Sequence, residues 1–256
     1  MKKILFPLIF LIGSLAHASI AADDASNYAS WTNGSNQGTG FAAWSLNNND
    51  NGSTIFAGNF LGNSTDGAGD INTGGQAFGL YANPSGAFST AIRSFSMSVG
   101  ETFTAQMGVN FDNGNKGFNF RIAGDSIFNF NVGGGGSVSS PNATLNPGTG
   151  AGYNYGGNDA VIDLSLTLDT ATQLSYVISR NSSQGFQGTL FSGTVTGLSA
   201  APDNFEFYIS DTDGGGAAQN NLYFNNLRVI PEPETAMLLI CGLGLISLLR
   251  RQRAKV

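Results

Sequence analysis

The chain has 256 residues, of which 17 are acidic and 11 basic, with a formal net charge of −6, one cysteine and one histidine. Cys241 and His17 both lie near the ends, so residues 23–229 contain neither an imidazole nor a thiol. This excludes disulfide bonds, cysteine nucleophiles, imidazole bases and His/Cys metal sites from that range. Its excess of acidic residues argues against nucleic acid as a partner.

The first 21 residues have the pattern of a secretory signal peptide. A basic start, Met1–Lys3, is followed by an apolar run from Ile4 to Leu15 and by a small-x-small cleavage site at Ala16–Ala18. Ser19–Ala21 is an alternative cleavage site. We therefore expect residues 1–21 to be removed as the chain is exported through the inner membrane.

Aromatic residues near the start of the remaining chain allow two interpretations. An aromatic ring matches the C–H face of a pyranose, so Trp31, Trp44 and Tyr81 are candidates for a sugar-stacking platform. The simpler interpretation is that they pack the core of a β domain. Trp44 alternates with Ala42 and Leu46, which favours packing for that residue.

From residue 101 onward, apolar side chains recur at every second position in short segments separated by glycine- and asparagine-rich turns. The alternation is clearest at 162–168 and is typical of a strand with one buried face. It predicts a β-hairpin at 101–122 and strands at 127–132, 162–168, 174–178, 186–195, 205–209 and 222–229. With 36 glycines for turns and 19 phenylalanines for a core, residues 22–229 are predicted to fold as one all-β domain.

Catalysis in this domain would depend on paired carboxylates. Glycoside hydrolysis needs two carboxyl groups about 5–9.5 Å apart, and Glu101 and Glu206 are the only glutamates between residues 22 and 229. Glu206 alternates with Phe205 and Phe207, so it points away from the core, and the sequence pairs no second carboxylate with it. We therefore expect the protein not to be an enzyme.

A candidate calcium loop lies before the last strand. Asp211 and Asp213 stand two residues apart before a glycine, and Asn220 or Asn221 supplies further amide oxygens, as a hard cation prefers. The distal glutamate of an EF-hand is missing, so that motif is not matched. An Asx turn is the simpler interpretation, and calcium is the only cofactor that the sequence raises.

The predicted strands and their tight turns indicate an antiparallel β-sandwich or barrel, of which a jelly-roll sandwich is preferred. The closing segment 221–229, after the loop at 211–216, resembles the last strand of concanavalin-A-like and laminin-G-like sandwiches. That resemblance implies the same jelly-roll class for residues 22–229.

Residues 230–256 form a turn, an apolar run and a basic end. Pro231, Glu232 and Pro233 keep the chain extended and accessible, because proline neither continues a helix nor donates to a sheet. Residues 236–249 carry no charge and predict a short transmembrane helix of about 21 Å, below the usual span of about 20 residues. The basic tail 250–256 would stop transfer and place the C-terminus in the cytoplasm; its arginines are Arg250, Arg251 and Arg253.

This order of Pro-Glu-Pro, apolar helix and arginine cluster resembles the PEP-CTERM sorting signal of Gram-negative bacteria, with residues 231–233 at the motif. The resemblance covers about a tenth of the chain. It implies recognition and cleavage near the motif by an exosortase, transient anchoring in the inner membrane, and delivery to the cell surface or the extracellular matrix. The family context is exopolysaccharide production and biofilm or floc formation.

The sequence thus predicts an exported, non-enzymatic β-sandwich that binds or integrates into extracellular polysaccharide. Three alternatives remain open at this point: a structural matrix protein without specific glycan affinity, an ice-binding or adhesive protein, and a glycan-active enzyme. The tail predicts how the chain is sorted and carries no information on what the domain binds.

Overall fold

The computed structural model describes residues 20–111, 113–132, 137–140, 143–145, 161–181, 187–212 and 215–231. The strands are β1 Ala21–Asp23, β2 Ser45–Asn48, β3 Phe56–Gly62, β4 Ala77–Asn83, β5 Phe88–Ser94, β6 Thr102–Gly108, β7 Asn115–Ile122, β8 Asp125–Asn131, β9 Ser137–Ser140, β10 Ala143–Leu145, β11 Val161–Thr170, β12 Gln173–Asn181, β13 Gly188–Thr196, β14 Asn204–Ser210 and β15 Leu222–Ile230. Three short 3₁₀ helices also occur in these ranges, at Ala25–Asn27, Ser64–Asp66 and Ala218–Asn220.

The strands form two antiparallel sheets. The first has the order β13-β12-β11-β6-β15-β4-β3, with β1 also paired to β15, and the second has the order β10-β9-β8-β7-β14-β5-β2. Consecutive strands such as β4 and β5, or β14 and β15, lie in different sheets. The β-hairpin predicted at 101–122 is therefore wrong, because β6 belongs to the first sheet and β7 to the second. The prediction of an all-β protein built from two packed antiparallel sheets is therefore confirmed.

Phenylalanine rings fill the space between the sheets. Phe207 of β14 stacks on Phe224 of β15 with ring centroids 4.0 Å apart and an interplanar angle of 4°, and Phe103 of β6 stacks on Phe118 of β7 at 5.5 Å. These side chains alternate with outward polar ones because successive residues of a strand face opposite sides of its sheet. The apolar residues that recur at every second position of the sequence are thus the ones buried in this layer.

Both ends of the described chain belong to the first sheet. Ala21 is buried opposite Val229, and the amide of Ile20 donates to the carbonyl oxygen of Val229 at 2.9 Å. The strands thus extend one residue beyond the predicted domain range at each end, to Ala21 and Ile230. Residues 1–19 of the predicted signal peptide lie outside the described residues.

The expected membrane anchor is corrected by the structure. The described part of the chain contains no helix long and apolar enough to cross a membrane, and its helices are limited to the three 3₁₀ turns. Transient anchoring is therefore not retained as the localisation of this protein. The predicted helix at 236–249 lies outside the described residues, as does the rest of the tail after Pro231, including Glu232, Pro233, Arg250, Arg251 and Arg253.

Candidate functional site

Two aromatic rings lie across the outer face of β3 and β4 because glycines stand beneath them. Phe60 is paired with Gly79 and Tyr81 with Gly58 in the strand register. A Cβ atom on Gly79 would lie 2.3 Å from the ring of Phe60, and one on Gly58 would lie 2.7 Å from the hydroxyl of Tyr81. The rings therefore occupy space that any larger cross-strand residue would fill. Their centroids are 6.3 Å apart.

These rings form one wall of a pocket of about 530 Å³, here called the aromatic pocket. Tyr81 is 36% exposed and Phe56, at the start of β3, is 47% exposed, so both present apolar surface to solvent. The remaining lining is polar or lacks side chains. It comprises Asn83, Thr212, Gly215, Gly216, Asn220 and Asn221, together with Ala82.

Hydrogen bonds hold the loop between β14 and β15 against the end of β4. The amide of Thr212 donates to the carbonyl oxygen of Ala82 at 3.1 Å, and the hydroxyl of Thr212 donates to the same oxygen. The side-chain amide of Asn220 donates to the carbonyl oxygen of Gly215 at 3.0 Å. The polar side of the aromatic pocket is thus positioned by the same strand that carries Tyr81.

Asp211 connects the end of β14 to the turn between β4 and β5. Its backbone φ is 58°, in the left-handed region that aspartate tolerates better than most residues. Its Oδ1 accepts a hydrogen bond of 2.7 Å from the amide of Gly86. This bond, with further ones from the side chains of Ser210 and Asn115, holds the pKa of the Asp211 carboxyl below its usual value.

The chemistry of the aromatic pocket suits a saccharide. Exposed rings provide flat apolar surface for the C–H face of a sugar, and neighbouring amides can donate to and accept from its hydroxyl groups. Pockets that combine apolar walls with a few fixed polar groups are typical of small-ligand sites. No catalytic group is needed for such binding.

Of the two interpretations of Trp31, Trp44 and Tyr81, the structure confirms core packing for the two tryptophans and so corrects their place in a sugar-stacking platform. Trp31 and Trp44 are only 4% and 1% exposed, and their rings meet edge to face at 5.4 Å inside the core. The indole nitrogen of Trp44 donates to Asp23 at 3.3 Å and to the hydroxyl of Tyr28 at 3.2 Å. Both tryptophans are therefore core residues, and Tyr81 alone of the three is exposed.

Part of the predicted calcium loop lines the aromatic pocket. Asp213 lies outside the described residues, and the side chain of Asp211 points to the amide of Gly86. Among the described residues, no group of three or more His, Cys, Asp or Glu side chains could hold a metal ion. Asn220 and Asn221, the predicted donors of amide oxygens to calcium, line the aromatic pocket.

Sequence reasoning missed Phe56, Phe60 and Asn83. These residues could have been found from the segments at 56–62 and 77–83, in which aromatic residues and glycines alternate on one face. Such alternation predicts that a ring from one strand will cover a glycine of the next. The sequence alone does not give the register, so it does not show which ring covers which glycine.

No protein-family model matches the chain, and no curated protein matches it. Among solved structures, the chain is similar to an HCR/D mutant at 12% identity and a TM-score of 0.44, covering 89% of this chain and 51% of that one. It is similar to a glycosyl hydrolase family protein from Mycobacterium fortuitum at 12% identity and a TM-score of 0.43, covering 83% and 99%. It is also similar to the catalytic domain of beta-agarase D from Zobellia galactanivorans at 10% identity and a TM-score of 0.40, covering 83% and 92%.

The chain spans about half the length of the HCR/D structure. With TM-scores below 0.5 and identities of 10–12%, these likenesses carry no inference on ligand or activity. The residues of the aromatic pocket therefore have to support any functional conclusion by themselves.

Proposed function

We propose that this protein is a non-enzymatic polysaccharide-binding protein and that the aromatic pocket holds a sugar unit of the polymer. The observation that supports the proposal most directly is the exposed ring of Tyr81, which lies beside Phe60 and lines the same pocket as Asn83, Asn220 and Asn221. The pocket opens at the surface of the first sheet, so a long polymer can pass across it.

Titration calorimetry of the full chain tests the proposal. The ligands are dextran, xyloglucan, galactomannan and alginate, of which the first three are neutral. We expect saturable binding to at least one of them and a loss of at least tenfold in affinity for Tyr81→Ala, equivalent to about 1.4 kcal/mol. Tyr81→Phe keeps the ring and should retain most of the affinity.

Val177→Ala is the matched control, because Val177 is also exposed but lies on β12 at a distance in the strand order from β4. It should bind as the wild type does. Equal binding by wild type and Tyr81→Ala contradicts the assignment of the pocket. Absence of saturable binding to every polysaccharide favours a structural matrix protein without glycan affinity.

The proposal assigns no catalysis. In support, the Oε2 atom of Glu206 accepts hydrogen bonds from Arg121 and from Asn119 and is thus already bound within the protein. Glycoside hydrolysis needs a second carboxyl group about 5–9.5 Å away, and neither of these two partners of Glu206 is a carboxylate. A reducing-end assay on the same four polysaccharides tests this part. Turnover by the wild type that is lost in Glu206→Gln would establish an enzyme.

We also infer that the sandwich has the jelly-roll topology. In support, the chain alternates between the sheets at β4, β5, β6 and β7, and again at β13, β14 and β15. Repeated crossing of this kind is typical of double-sheet jelly rolls. An experimental structure that traces the chain from β10 of the second sheet to β11 of the first tests the assignment.

We infer further that an exosortase cleaves the chain near Pro231, Glu232 and Pro233. In support, β15 ends at Ile230, so cleavage after this residue leaves every described strand complete. Intact-mass measurement of the protein recovered from producing cells tests the inference. A C-terminus between Ile230 and Glu234 is expected, and a protein that retains Val256 contradicts processing.

A further inference from the structure

The outer face of the second sheet carries a connected group of polar side chains, here called the polar face: Asn119, Arg121, Asn129, Glu206 and Tyr208. In the strand register, Glu206 of β14 is opposite Asn119 of β7, which is opposite Asn129 of β8. Because Phe205 and Phe207 point into the core, Glu206 and Tyr208 point to the opposite side of the sheet. The aromatic pocket lies on the other sheet.

Hydrogen bonds fix the orientation of the polar face. The Oε2 atom of Glu206 accepts from the Arg121 guanidinium and from the Asn119 amide, the latter at 2.8 Å. The amide of Asn129 donates to Asn119 Oδ1 at 2.7 Å and to the hydroxyl of Tyr208 at 3.0 Å. Side chains that already hold one another lose little conformational freedom when a ligand binds.

Tyr208 lies across Gly117 in the same way as Tyr81 lies across Gly58. The two residues are paired in the register, and a Cβ atom on Gly117 would lie 2.3 Å from the Tyr208 hydroxyl and 2.5 Å from its ring carbon Cζ. Burial raises the pKa of Tyr208 to about 12, so the hydroxyl stays protonated at neutral pH. The ring and hydroxyl together offer a flat surface with a neutral polar end.

One polar atom of the polar face is buried without a hydrogen-bond partner among the described residues, the Nε atom of Arg121. The two hydrogen bonds to the Glu206 carboxylate from Asn119 and Arg121 both go to Oε2, so Oε1 is the oxygen turned to a ligand. Buried polar groups without partners raise the free energy of a protein. A ligand hydroxyl can donate to the carboxylate oxygen, and a ligand oxygen can accept from the guanidinium.

The charges of this face narrow the ligand class. Glu206 and Arg121 form an ion pair, so their charges balance each other and favour neither a polyanion nor a polycation. The Glu206 carboxylate and the Arg121 guanidinium suit a ligand that both donates and accepts hydrogen bonds. The ring of Tyr208 suits a ligand with an apolar face. A neutral sugar with adjacent hydroxyl groups has these properties.

We propose that the polar face is a second saccharide-binding site, so that one molecule binds two segments of neutral polysaccharide and cross-links them. The proposal rests on the function proposed for the aromatic pocket. The two sites lie on the outer faces of different sheets, and packed sheets are about 10 Å apart before their side chains are counted. Two polymer segments can therefore bind at once, and simultaneous engagement raises the avidity for the polymer.

The experiment uses the full chain and two ligand forms. One is whichever of dextran, xyloglucan or galactomannan the wild type binds, and the other is a six-sugar fragment of that polymer. Calorimetry with the fragment should give two sites for the wild type and one site each for Tyr81→Ala and Tyr208→Ala. Addition of wild-type protein to the polymer should raise its viscosity, and neither single variant should do so although both still bind.

Glu206→Gln is a second variant that preserves side-chain shape if Tyr208→Ala fails to fold. It should weaken the second site by at least tenfold and leave the site at Tyr81 unchanged. One site in the wild type, lost entirely in Tyr81→Ala, overturns the second site and leaves the proposed function intact. Absence of fragment binding by a wild type that binds the polymer overturns the two separate sugar sites and leaves polysaccharide binding itself intact. Two sites that both survive Tyr208→Ala and Glu206→Gln overturn the placement on the polar face.

Discussion

The carboxylate of Asp23 and the guanidinium of Arg93 form an ion pair in which neither side chain has any solvent exposure. Asp23 is on β1 of the first sheet and Arg93 on β5 of the second, so the pair joins the two sheets. Tyr28 donates to the same Asp23 oxygen at 2.8 Å, and the guanidinium lies 5.0 Å from the ring centre of Trp44. The N-terminal segment is therefore attached to the core through a buried charge.

Removing one charge of this pair should be strongly destabilising. Asp23→Asn keeps the side-chain shape but leaves the Arg93 guanidinium buried without a counter-ion, which lowers the free energy of unfolding by about 3–5 kcal/mol. Urea denaturation followed by tryptophan fluorescence measures the change. Asp24→Asn is the control, because Asp24 pairs with the partly exposed Arg228 at 2.7 Å. It should lower stability by about 1 kcal/mol or less, and equal effects of the two variants contradict the prediction.

The ring stack between the sheets should contribute much of the stability. Phe224→Ala removes a fully buried ring and its contact with Phe207, so we expect a loss of about 3–5 kcal/mol. Calorimetric unfolding should show a corresponding drop in Tm. Phe111→Ala, at a ring that is exposed, should change stability by no more than about 0.5 kcal/mol. A similar Tm for the two variants would argue against the packing described here.

Gly79→Ala should weaken polysaccharide binding without any direct contact to the ligand. The three atoms nearest to the added methyl group all belong to the ring of Phe60, which can rotate away and leave the wall of the aromatic pocket incomplete. We expect a several-fold loss of affinity with a stability change below about 1 kcal/mol.

The matched control is Gly193→Ala, where the new Cβ would lie 2.7 Å from the hydroxyl of the buried Tyr176. That variant should lower stability and leave binding unchanged. Unaltered affinity in Gly79→Ala would mean that the ring of Phe60 does not take part in binding.

Asp211 should make the loop of the aromatic pocket sensitive to acid. Hydrogen bonds, above all that from the Gly86 amide, hold the pKa of its carboxyl below the ordinary value for an aspartate. A depressed pKa stabilises the fold above the pKa of the unfolded chain, and this contribution is lost as pH falls through the folded pKa. Asp211→Asn should be less stable than wild type above pH 5 and should approach it below pH 3, as denaturation curves across this range would show. A difference in stability between wild type and Asp211→Asn that is the same at every pH would contradict this role.

The start of the mature chain should be Ser19 and not Ala22. Of the two predicted cleavage sites, only the one after Ala18 preserves the buried Ala21 and the hydrogen bond from Ile20 to Val229. A chain that begins at Ala22 should be less stable than one that begins at Ser19 by about 1–3 kcal/mol, from the lost backbone hydrogen bonds and burial. Urea denaturation of the two chains tests the difference, and N-terminal sequencing of the exported protein identifies the start.

The local sequence pattern predicted most strands after residue 101, but not β1–β5, the separation of β6 and β7 into different sheets, or the candidate sites. Alternation at 162–168 predicted β11 because the orientation of successive side chains in a strand depends only on neighbouring residues. Whether Trp44 or Tyr81 faced solvent depended on strand register and on which elements covered each ring. Those contacts join residues far apart in the chain, and no local pattern records them.

The sequence by itself determined the all-β class, the absence of thiol and imidazole chemistry between residues 23 and 229, and the outward direction of Glu206, because composition and period-two alternation are local properties. Tertiary structure alone decided that Arg93 meets Asp23, that Tyr81 lies over Gly58, and that Tyr208 lies over Gly117. The physical reason is that burial and pairing depend on which strands become neighbours, and this is settled only when the two sheets pack together.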